Sequence, residues 1–412
     1  MKSQSGSRKC FALVTETYAP QVNGVANTLG HLCRGLLQRG HRIQLIRPAQ
    51  PGEHSGTRHA ADFLERRVNG MAIPRYRDLQ WGLPAGNRLQ ALWKSQRPDA
   101  IYLATEGPLG WSALRVARKM GIPVISGFQT HFQQYADHYG VGLLQQPIMA
   151  YLRWFHNRTQ LTLTACPTQQ KELMRAGLDN LVLLGRGVDC EQFHPRHRDT
   201  GLRQHWQAEE SDLVLLHVGR LAAEKNLAQL VSAWQQVRAA ADNPQRLRLV
   251  VVGDGPMRPE LQRQLPEAVF TGWLNWEELA MAYASADIFV FPSVVETFGN
   301  VVTEAMASGL AVNAFNSAAA HQHIRERFSG CLAPVGDAKQ FVSNLQWLIA
   351  DAEGRRSVRI HARHRACQLD WGPVIDRFEG YLSRAASGTA EAGKPTSATD
   401  RGLRPGSSKP RG

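Results

Sequence analysis

The 412-residue sequence contains no apolar run that approaches the roughly 18 residues a helix needs to span a bilayer. Its first nine residues are polar and basic, but they lack the apolar region of a signal peptide. We therefore expect a cytoplasmic protein, whose contact with a membrane would be peripheral, on the inner face of the cytoplasmic membrane.

Motifs for metal binding and covalent catalysis are also missing. The six cysteines are scattered, with no C-x-x-C pair and no histidine cluster at metal-ligand spacing, so we expect reduced thiols. No two aspartates stand two positions apart, which is the usual ligand pattern of a metal-bound diphosphate, and we expect no essential metal. Neither a P-loop nor a G-x-S-x-G motif is present. Gly253 and Gly255 begin a dinucleotide fingerprint, but Arg258 stands where its third glycine belongs, so no NAD cofactor is predicted.

Acidic residues are in short supply. The chain has 48 lysines and arginines against 35 aspartates and glutamates, which gives a formal net charge of +13. Such an excess favours an anionic partner, whether a nucleotide, a nucleic acid or an acidic lipid surface. The cations are scattered, and the sequence has no recognisable aromatic RNA platform or DNA-reading helix, so a nucleic-acid partner is disfavoured.

What the sequence does have is a repeated alternation of short apolar strands with amphipathic helices, which predicts an α/β fold with parallel sheets. The alternation is interrupted by an irregular stretch at 185–195 that is suited to a hinge. We therefore predict two similar doubly wound halves, residues 1–187 and residues 188–370. Residues 387–412 are rich in Gly, Ser, Thr, Pro and basic residues, which predicts a disordered basic tail.

One segment of the second half combines features of a ligand site. An apolar strand over Ala286 to Phe291 leads into a loop that carries Glu296, and a tight passage at residues 298–300 leads into a helix. Glu304 is expected about two turns into that helix, near the face of Glu296. The free amides at a helix start can hold an anion, and carboxylates beside them can hold hydroxyls. A sugar nucleotide offers both groups, although a capping charge and a solvated side chain would give the same pattern.

Other loops at predicted strand ends carry residues suited to the same ligand. Gly24, between a strand and a helix, lets the backbone approach a phosphate. Arg220 and Lys225 follow the first strand of the second half and could neutralise a departing diphosphate. Residues 272–274 could meet the edge of a base, and His131 could face a cleft from the first half. Each of these features also fits an ordinary turn or a solvated loop.

Taken together, these segments resemble the retaining nucleotide-sugar glycosyltransferases of family 4, over about Phe11 to Leu382. That family has the GT-B architecture, in which two Rossmann-like domains face each other across a cleft. The matching segments are Asn23-Gly24-Val25, Arg186-Gly187-Val188-Asp189, Val218-Gly219-Arg220, Glu224-Lys225-Asn226, Val252-Gly253-Asp254-Gly255-Pro256, and Glu296 with Glu304 followed by Ala305-Met306-Ala307-Ser308-Gly309.

The resemblance implies roles for these residues. Arg220 and Lys225 would hold the donor diphosphate, and Glu296 would touch the hydroxyls of the donor sugar. The residues implied in catalysis are Glu296, His131, Arg220 and Lys225. The residues implied in donor binding are Gly24, Arg220, Lys225, Gly272, Trp273, Leu274, Glu296, Phe298, Gly299, Asn300 and Glu304. The family's loop often reads His-Thr, whereas this chain has Gln129-Thr130-His131, so either Gln129 or His131 would lie beside the donor sugar.

The same resemblance implies the remaining parts of the donor site. Glu304 would hold the ribose hydroxyls, residues 272–274 would border the base, and residues 298–300 would offer backbone amides. Gly24 would approach the phosphate from the opposite domain. A last helix over 371–386 would pack back on the first domain. No metal and no cofactor are implied, because the nucleotide sugar is a substrate.

Two stretches, residues 16–20 and 104–110, look like the branch of the family that glycosylates lipids, which includes diacylglycerol glycosyltransferases and GDP-mannose-dependent α-mannosyltransferases. The expected reaction is retaining, metal-independent transfer of a hexose from a UDP-glucose-type donor or GDP-mannose to a lipid such as diacylglycerol. Residues 75–84 and 143–154 mix cations with aromatic or apolar residues, which suits an anionic membrane surface. A polysaccharide or lipopolysaccharide acceptor, or a sugar-nucleotide epimerase of the same fold, are the alternatives.

Overall fold

The computed structural model of the protein describes residues 7–21, 23–73, 76–129 and 145–388. His131, the first part of the predicted 143–154 membrane segment and most of the predicted tail lie outside these residues. In the described part of the chain, no helix combines the length and the apolarity needed to cross a membrane.

The first domain is built on an eight-stranded sheet. The strands of this domain are β1 (Cys10–Val14), β2 (Arg42–Pro48), β3 (Gly56–Ala60), β4 (Phe63–Val68), β5 (Gly70–Ile73), β6 (Tyr76–Gly82), β7 (Ala100–Leu103), β8 (Val124–Gly127), β9 (Leu161–Thr164) and β10 (Leu181–Leu183). The sheet order is β10-β9-β8-β7-β1-β2-β4-β3, and only β3 runs antiparallel to its neighbour. Strands β5 and β6 form a separate antiparallel pair.

Helices cover both faces of this sheet. They are α1 (Gly24–Gln38), α2 (Gly86–Ser95), α3 (Pro108–Met120), α4 (Gln145–His156) and α5 (Pro167–Arg175). Successive residues of β1 alternate between two apolar clusters: Phe11 and Leu13 pack in one, and Ala12 and Val14 in the other. This alternation is the mark of a sheet that is buried on both faces.

The second domain repeats the plan with a six-stranded parallel sheet in the order β13-β12-β11-β14-β15-β16. Its strands are β11 (Leu213–Val218), β12 (Leu247–Val252), β13 (Val269–Gly272), β14 (Ile288–Phe291), β15 (Ala311–Phe315) and β16 (Cys331–Ala333). Its helices are α6 (Thr200–His205), α7 (Leu227–Ala240), α8 (Arg258–Gln264), α9 (Trp276–Ser285), α10 (Asn300–Ala307), α11 (Ala318–His323), α12 (Ala338–Ala350) and α13 (Ala352–Ala366).

The chain passes between the domains twice, and the two crossings lie side by side. The amide of Val188 in the first crossing donates to the carbonyl of Leu369 in the second, at 2.8 Å. Gly187 leaves room for Trp371, because a Cβ there would lie 2.7 Å from Cγ of that ring. After the second crossing, α14 (Trp371–Ala386) packs Phe378 and Leu382 into an apolar cluster of the first domain. The last helix therefore ties the two domains together.

Two sequence-based expectations need correction. The sequence predicts one helix over Ala338 to Glu353, but α12 ends at Ala350 and α13 begins at Ala352. The Asp351 carboxylate caps the second helix by accepting a hydrogen bond from the amide of Gly354 at 2.8 Å.

Glu304 is the fifth residue of α10, only one turn in, and Glu296 precedes that helix altogether. The expectation that Glu304 lies about two turns into the helix is therefore wrong.

Candidate active site

A cleft of about 1430 Å³ lies between the two domains, and residues of both domains line it. Typical ligand pockets measure roughly 300–1,000 Å³, so this cleft has room for more than one substrate. On the second domain, the cleft meets the carboxyl ends of β11, β12 and β14, the edge at which parallel α/β sheets bind their ligands.

Lys225 and Glu296 meet at this edge of the sheet. Lys225 ends a single 3₁₀ turn after β11, and its Nζ lies 2.5 Å from Oε1 of Glu296, on the loop that follows β14. Asn226 fastens the two loops together by donating from its side-chain nitrogen to the carbonyl of Pro292 at 3.1 Å. Arg220, on the same cleft wall, is paired with the buried carboxylate of Glu224. The site therefore places two ion pairs, Arg220 with Glu224 and Lys225 with Glu296, on one wall of the cleft.

The loop after Glu296 touches the first domain on its way into α10. The hydroxyl of Thr297 donates to the carbonyl of Gln129 at 2.9 Å, and the side-chain nitrogen of Asn300 lies 3.5 Å from the carbonyl of Gly24. Gly299 has a φ of 88°, in the left-handed region that glycine adopts without strain, and this turn starts the helix. The first amides of α10 thus open into the cleft between the domains.

Glu304 and Glu16 are two buried carboxyl groups of the cleft wall. Burial raises the pKa of Glu304 to about 7, although the Tyr283 hydroxyl donates to its carboxylate at 3.1 Å and opposes the rise. Burial likewise raises the pKa of Glu16 to about 7. Amides of the first domain bind Glu16: Leu109 donates to Oε1 at 3.0 Å, and Gly82 donates to Oε2.

These raised pKa values predict that the protein loses stability as the pH rises. In the unfolded chain a glutamate titrates near 4.5, so between pH 4.5 and about 7 the folded protein holds more protons than the unfolded chain. Stability then falls with rising pH, by roughly 3 kcal/mol per carboxyl once the pH exceeds the folded pKa. We expect the melting temperature of the wild type to drop between pH 5 and 8, relative to a Glu16→Gln/Glu304→Gln variant. Parallel curves for the two proteins would contradict the assignment.

His217 forms part of the cleft floor at the end of β11. Its Nδ1 lies 3.0 Å from the carbonyl of Val290, which can only accept, so this nitrogen carries the proton. Burial lowers the pKa of His217 to about 4, so the ring is neutral. Its buried Nε2 has no hydrogen-bond partner in the described part of the chain, so it can serve a ligand only as an acceptor.

The structure brings most of the sequence-predicted residues to one cleft. Those that line it are Gly24, Arg220, Lys225, Trp273, Leu274, Glu296, Phe298, Gly299, Asn300 and Glu304. Gly272 is not among the residues that line the cleft. Its carbonyl accepts a hydrogen bond from the amide of Gly253, and Gly253 does line the cleft. Gln129 lines the cleft as well, and its amide Nε2 donates to the Tyr102 hydroxyl at 3.0 Å.

Sequence reasoning gave no individual role to several other residues of the wall. They are Glu16, Trp81, Glu106, Trp111, Tyr151, Arg186 and His217. Glu16, Glu106 and His217 do lie at or just beyond the ends of predicted strands, and the rule that located Arg220 could have located them. Trp81 and Trp111 carry no comparable signal: β6 is not predicted, and the sequence predicts Trp111 as the first residue of a helix rather than as the end of a strand.

Comparison with solved structures shows the fold class. The structure superimposes on a sucrose-phosphate synthase from Thermosynechococcus elongatus with a TM-score of 0.75 at 17% identity, over 92% of this chain and all of that one. Two Rossmann-like domains around a shared cleft, with the ligand edge of the second sheet facing it, define the GT-B fold. The fold predicted from the sequence resemblance is therefore confirmed.

Comparison with related sequences shows the family. The model described as Glycosyltransferase Family 4 matches residues 22–192, and the model described as Glycosyl transferases group 1 matches residues 212–351. A GDP-mannose-dependent alpha-mannosyltransferase of Mycobacterium tuberculosis is 34% identical over 90% of this chain and 95% of its own. An alpha-monoglucosyldiacylglycerol synthase of Streptococcus pneumoniae is 27% identical over 78% of this chain and 74% of its own. The chain belongs to glycosyltransferase family 4 and is a glycosyltransferase.

Proposed function

We propose that this glycosyltransferase moves mannose from GDP-mannose to a hydroxyl of a lipid, with retention of the anomeric configuration and without a metal ion. The observation that carries the proposal is the convergence of Lys225, Glu296 and the start of α10 on one cleft that faces Gly24 of the other domain. The choice of donor is supported by the name of the relative that is 34% identical. The choice of a lipid acceptor is supported by the name of the diacylglycerol-related synthase.

The donor would lie along the second domain. Arg220 and Lys225 would bind the diphosphate, and the amides at the start of α10 would add hydrogen bonds to the same oxygens. Glu296 would leave Lys225 to accept hydrogen bonds from hydroxyls of the sugar, and Glu304 would accept them from the ribose. The indole of Trp273, 52% exposed at the rim, offers a flat apolar face to the guanine.

The chemical step would begin with departure of the diphosphate. Negative charge then grows on its oxygens, next to two cations that are already held in place, while the sugar takes an oxocarbenium-like form. The acceptor hydroxyl would attack from the face that the diphosphate leaves, and the diphosphate would take its proton. Thr297 and Asn300 bridge the two domains beside the donor site, and these contacts would help to exclude water during the transfer.

The acceptor would lie against the first domain. That wall carries aromatic and apolar side chains, among them Trp81, Trp111, Tyr151 and Leu152. Beside it, the exposed side chains of Met71 and Leu83 extend the apolar surface outward along the β5–β6 pair. This continuity suits a lipid whose head group enters the cleft while its chains stay in an anionic membrane.

The proposal is tested by supplying sugar nucleotides and following the product. A ligand that binds only the native protein raises its melting temperature, and at equal concentration the ligand that binds more tightly raises it more. We therefore expect a larger rise with GDP-mannose than with UDP-glucose or ADP-glucose. Incubation with diacylglycerol in neutral detergent micelles should then yield an α-mannosyl lipid, in the presence of EDTA as well. A β-linked product, or turnover that requires an added divalent metal, would contradict the mechanism. Epimerisation of free donor without transfer would favour the epimerase alternative.

A further inference from the structure

Arg186 is a buried cation in the wall of the cleft, at the start of the first crossing between the domains. Its Nη1 donates to the carbonyls of Leu184 and Gly185, at 3.0 and 3.4 Å, and its Nη2 donates to Oε1 of Gln129 at 2.7 Å. A guanidinium has five N–H groups, so these three bonds leave two without a partner in the described part of the chain. All three partners are neutral.

No carboxylate in the described part of the chain balances the charge of Arg186. Among the described residues, no aspartate or glutamate forms an ion pair with Arg186. The ionisable groups that favour its charged form are Tyr102 and Cys166. Burial raises the pKa of both, so both are neutral at physiological pH. Burial also lowers the pKa of Arg186, but a guanidinium keeps its proton in proteins, so the positive charge stays.

The other buried arginines of the described chain show what a purely structural role looks like. Arg47 is bound by the carboxylates of Glu53 and Glu65, at 2.6 and 2.8 Å. Arg203 is bound by the carboxylate of Asp287 at 3.2 Å. Neither of these two arginines lines the cleft. Burying a charge without a counter-ion costs free energy. Because Arg186, unlike Arg47 and Arg203, has no carboxylate partner among the described residues, its position indicates that it binds an anionic ligand.

The position of Arg186 indicates which anion this is. Arg186 is the only lysine or arginine among the described residues of the first domain that line the cleft. Arg220 and Lys225, the cations assigned to the donor diphosphate, follow β11 of the second domain, whereas Arg186 follows β10 of the first. The acceptor is the substrate that lies against the first domain in the proposed function.

We infer that Arg186 binds an oxyanion on the head group of the acceptor, a phosphate or a carboxylate, through its two remaining N–H groups. Charge-assisted bonds of this kind are short and strong, and two of them from one guanidinium also fix the orientation of the oxyanion. Gln129 and the two carbonyls hold the guanidinium in place before the substrate binds. The enzyme therefore prefers an anionic acceptor lipid to a neutral one. This inference rests on the proposed function, because it needs an acceptor site on the first domain.

The test compares two acceptors in the wild type and in three variants. Phosphatidylglycerol and diacylglycerol both offer hydroxyls, but only the first carries a phosphate charge, and both are presented in micelles of neutral detergent. In Arg186→Met we expect kcat/KM for phosphatidylglycerol to fall at least tenfold, with kcat/KM for diacylglycerol and the affinity for GDP unchanged. Arg186→Lys keeps the charge but loses the planar guanidinium that can donate two parallel hydrogen bonds. Its kcat/KM for phosphatidylglycerol should lie between those of the wild type and Arg186→Met. Arg97→Met, an exposed arginine of the same domain, controls for the loss of one surface charge.

Other outcomes would overturn the inference. Equal losses with both lipids, or no loss with either, would leave Arg186 a structural residue. A loss of GDP affinity would assign the cation to the donor diphosphate instead. A binding measurement keeps the inference separate from the proposed function: with GDP saturating the donor side, sn-glycerol 3-phosphate should change tryptophan fluorescence in wild type and not in Arg186→Met. If that difference is seen and no lipid is glycosylated, only the proposed reaction fails; if it is absent, the anion site fails.

Discussion

Replacing Lys225 with methionine is expected to lower kcat roughly 100- to 1000-fold, the usual cost of removing one group that stabilises charge in a transition state. The ammonium is held 2.5 Å from Oε1 of Glu296 on the cleft wall, so it is already positioned where the diphosphate would take up negative charge. Methionine keeps most of the length and loses only the charge. The measurement is the initial rate of transfer from GDP-mannose at saturating donor.

The control for this prediction is Arg263→Met, which removes a cation of the same domain whose side chain is 74% exposed and paired with Glu260. It should leave kcat unchanged, since exposed pairs contribute little and this one is remote from the cleft. The melting temperatures of both variants should stay near that of the wild type. Turnover by Lys225→Met at the wild-type rate would refute the assignment of the diphosphate site, and with it the central part of the proposed mechanism.

The fold was largely predictable, because apolar periodicity is strong where a parallel sheet is buried. The apolar patterns predict strands over 213–218 and 247–252 and helices over 227–240 and 276–285, and β11, β12, α7 and α9 have these bounds to the residue. Strands β3 to β6 were not predicted. β3 reads Gly-Thr-Arg-His-Ala and is almost fully exposed at the sheet edge, and β4 contains Glu-Arg-Arg, so neither shows an apolar run. An exposed edge strand such as β3 needs no such run, and in β4 the charged residues interrupt the apolar ones, so apolar periodicity finds neither strand.

The candidate site was predictable only one loop at a time. Arg220, Lys225 and Glu296 could each be located because each follows a strand, and the ends of parallel strands converge. That Lys225 pairs with Glu296 across 71 positions could not be read from the sequence. The same holds for Arg186, whose partner Gln129 is 57 positions away. That no carboxylate among the described residues pairs with Arg186 is a property of the packed interior, which no local sequence pattern records.

The effect of replacing Glu296 can be compared directly with the effect of replacing Lys225, its partner in the ion pair. Glu296→Gln is expected to lower kcat/KM for the donor roughly 10- to 100-fold, because a hydrogen bond to a charged group is worth about 1.5–3 kcal/mol and an amide offers one acceptor oxygen where a carboxylate offers two. Isothermal titration with GDP alone should show unchanged affinity in this variant, because the sugar that Glu296 contacts is missing from GDP. A weakened GDP affinity would instead place Glu296 at the diphosphate.

The double variant Lys225→Met/Glu296→Gln then separates two explanations of the ion pair. If the two groups serve only to neutralise each other, removing both restores part of the activity that either single change loses, since no charge is left unpaired. If each binds a different part of the donor, the double variant is slower than either single one. We expect the second result, because the ammonium faces a charge that grows as the diphosphate leaves, whereas the carboxylate faces hydroxyls whose charge hardly changes. Recovery in the double variant would make the pair a structural contact and remove both residues from the mechanism.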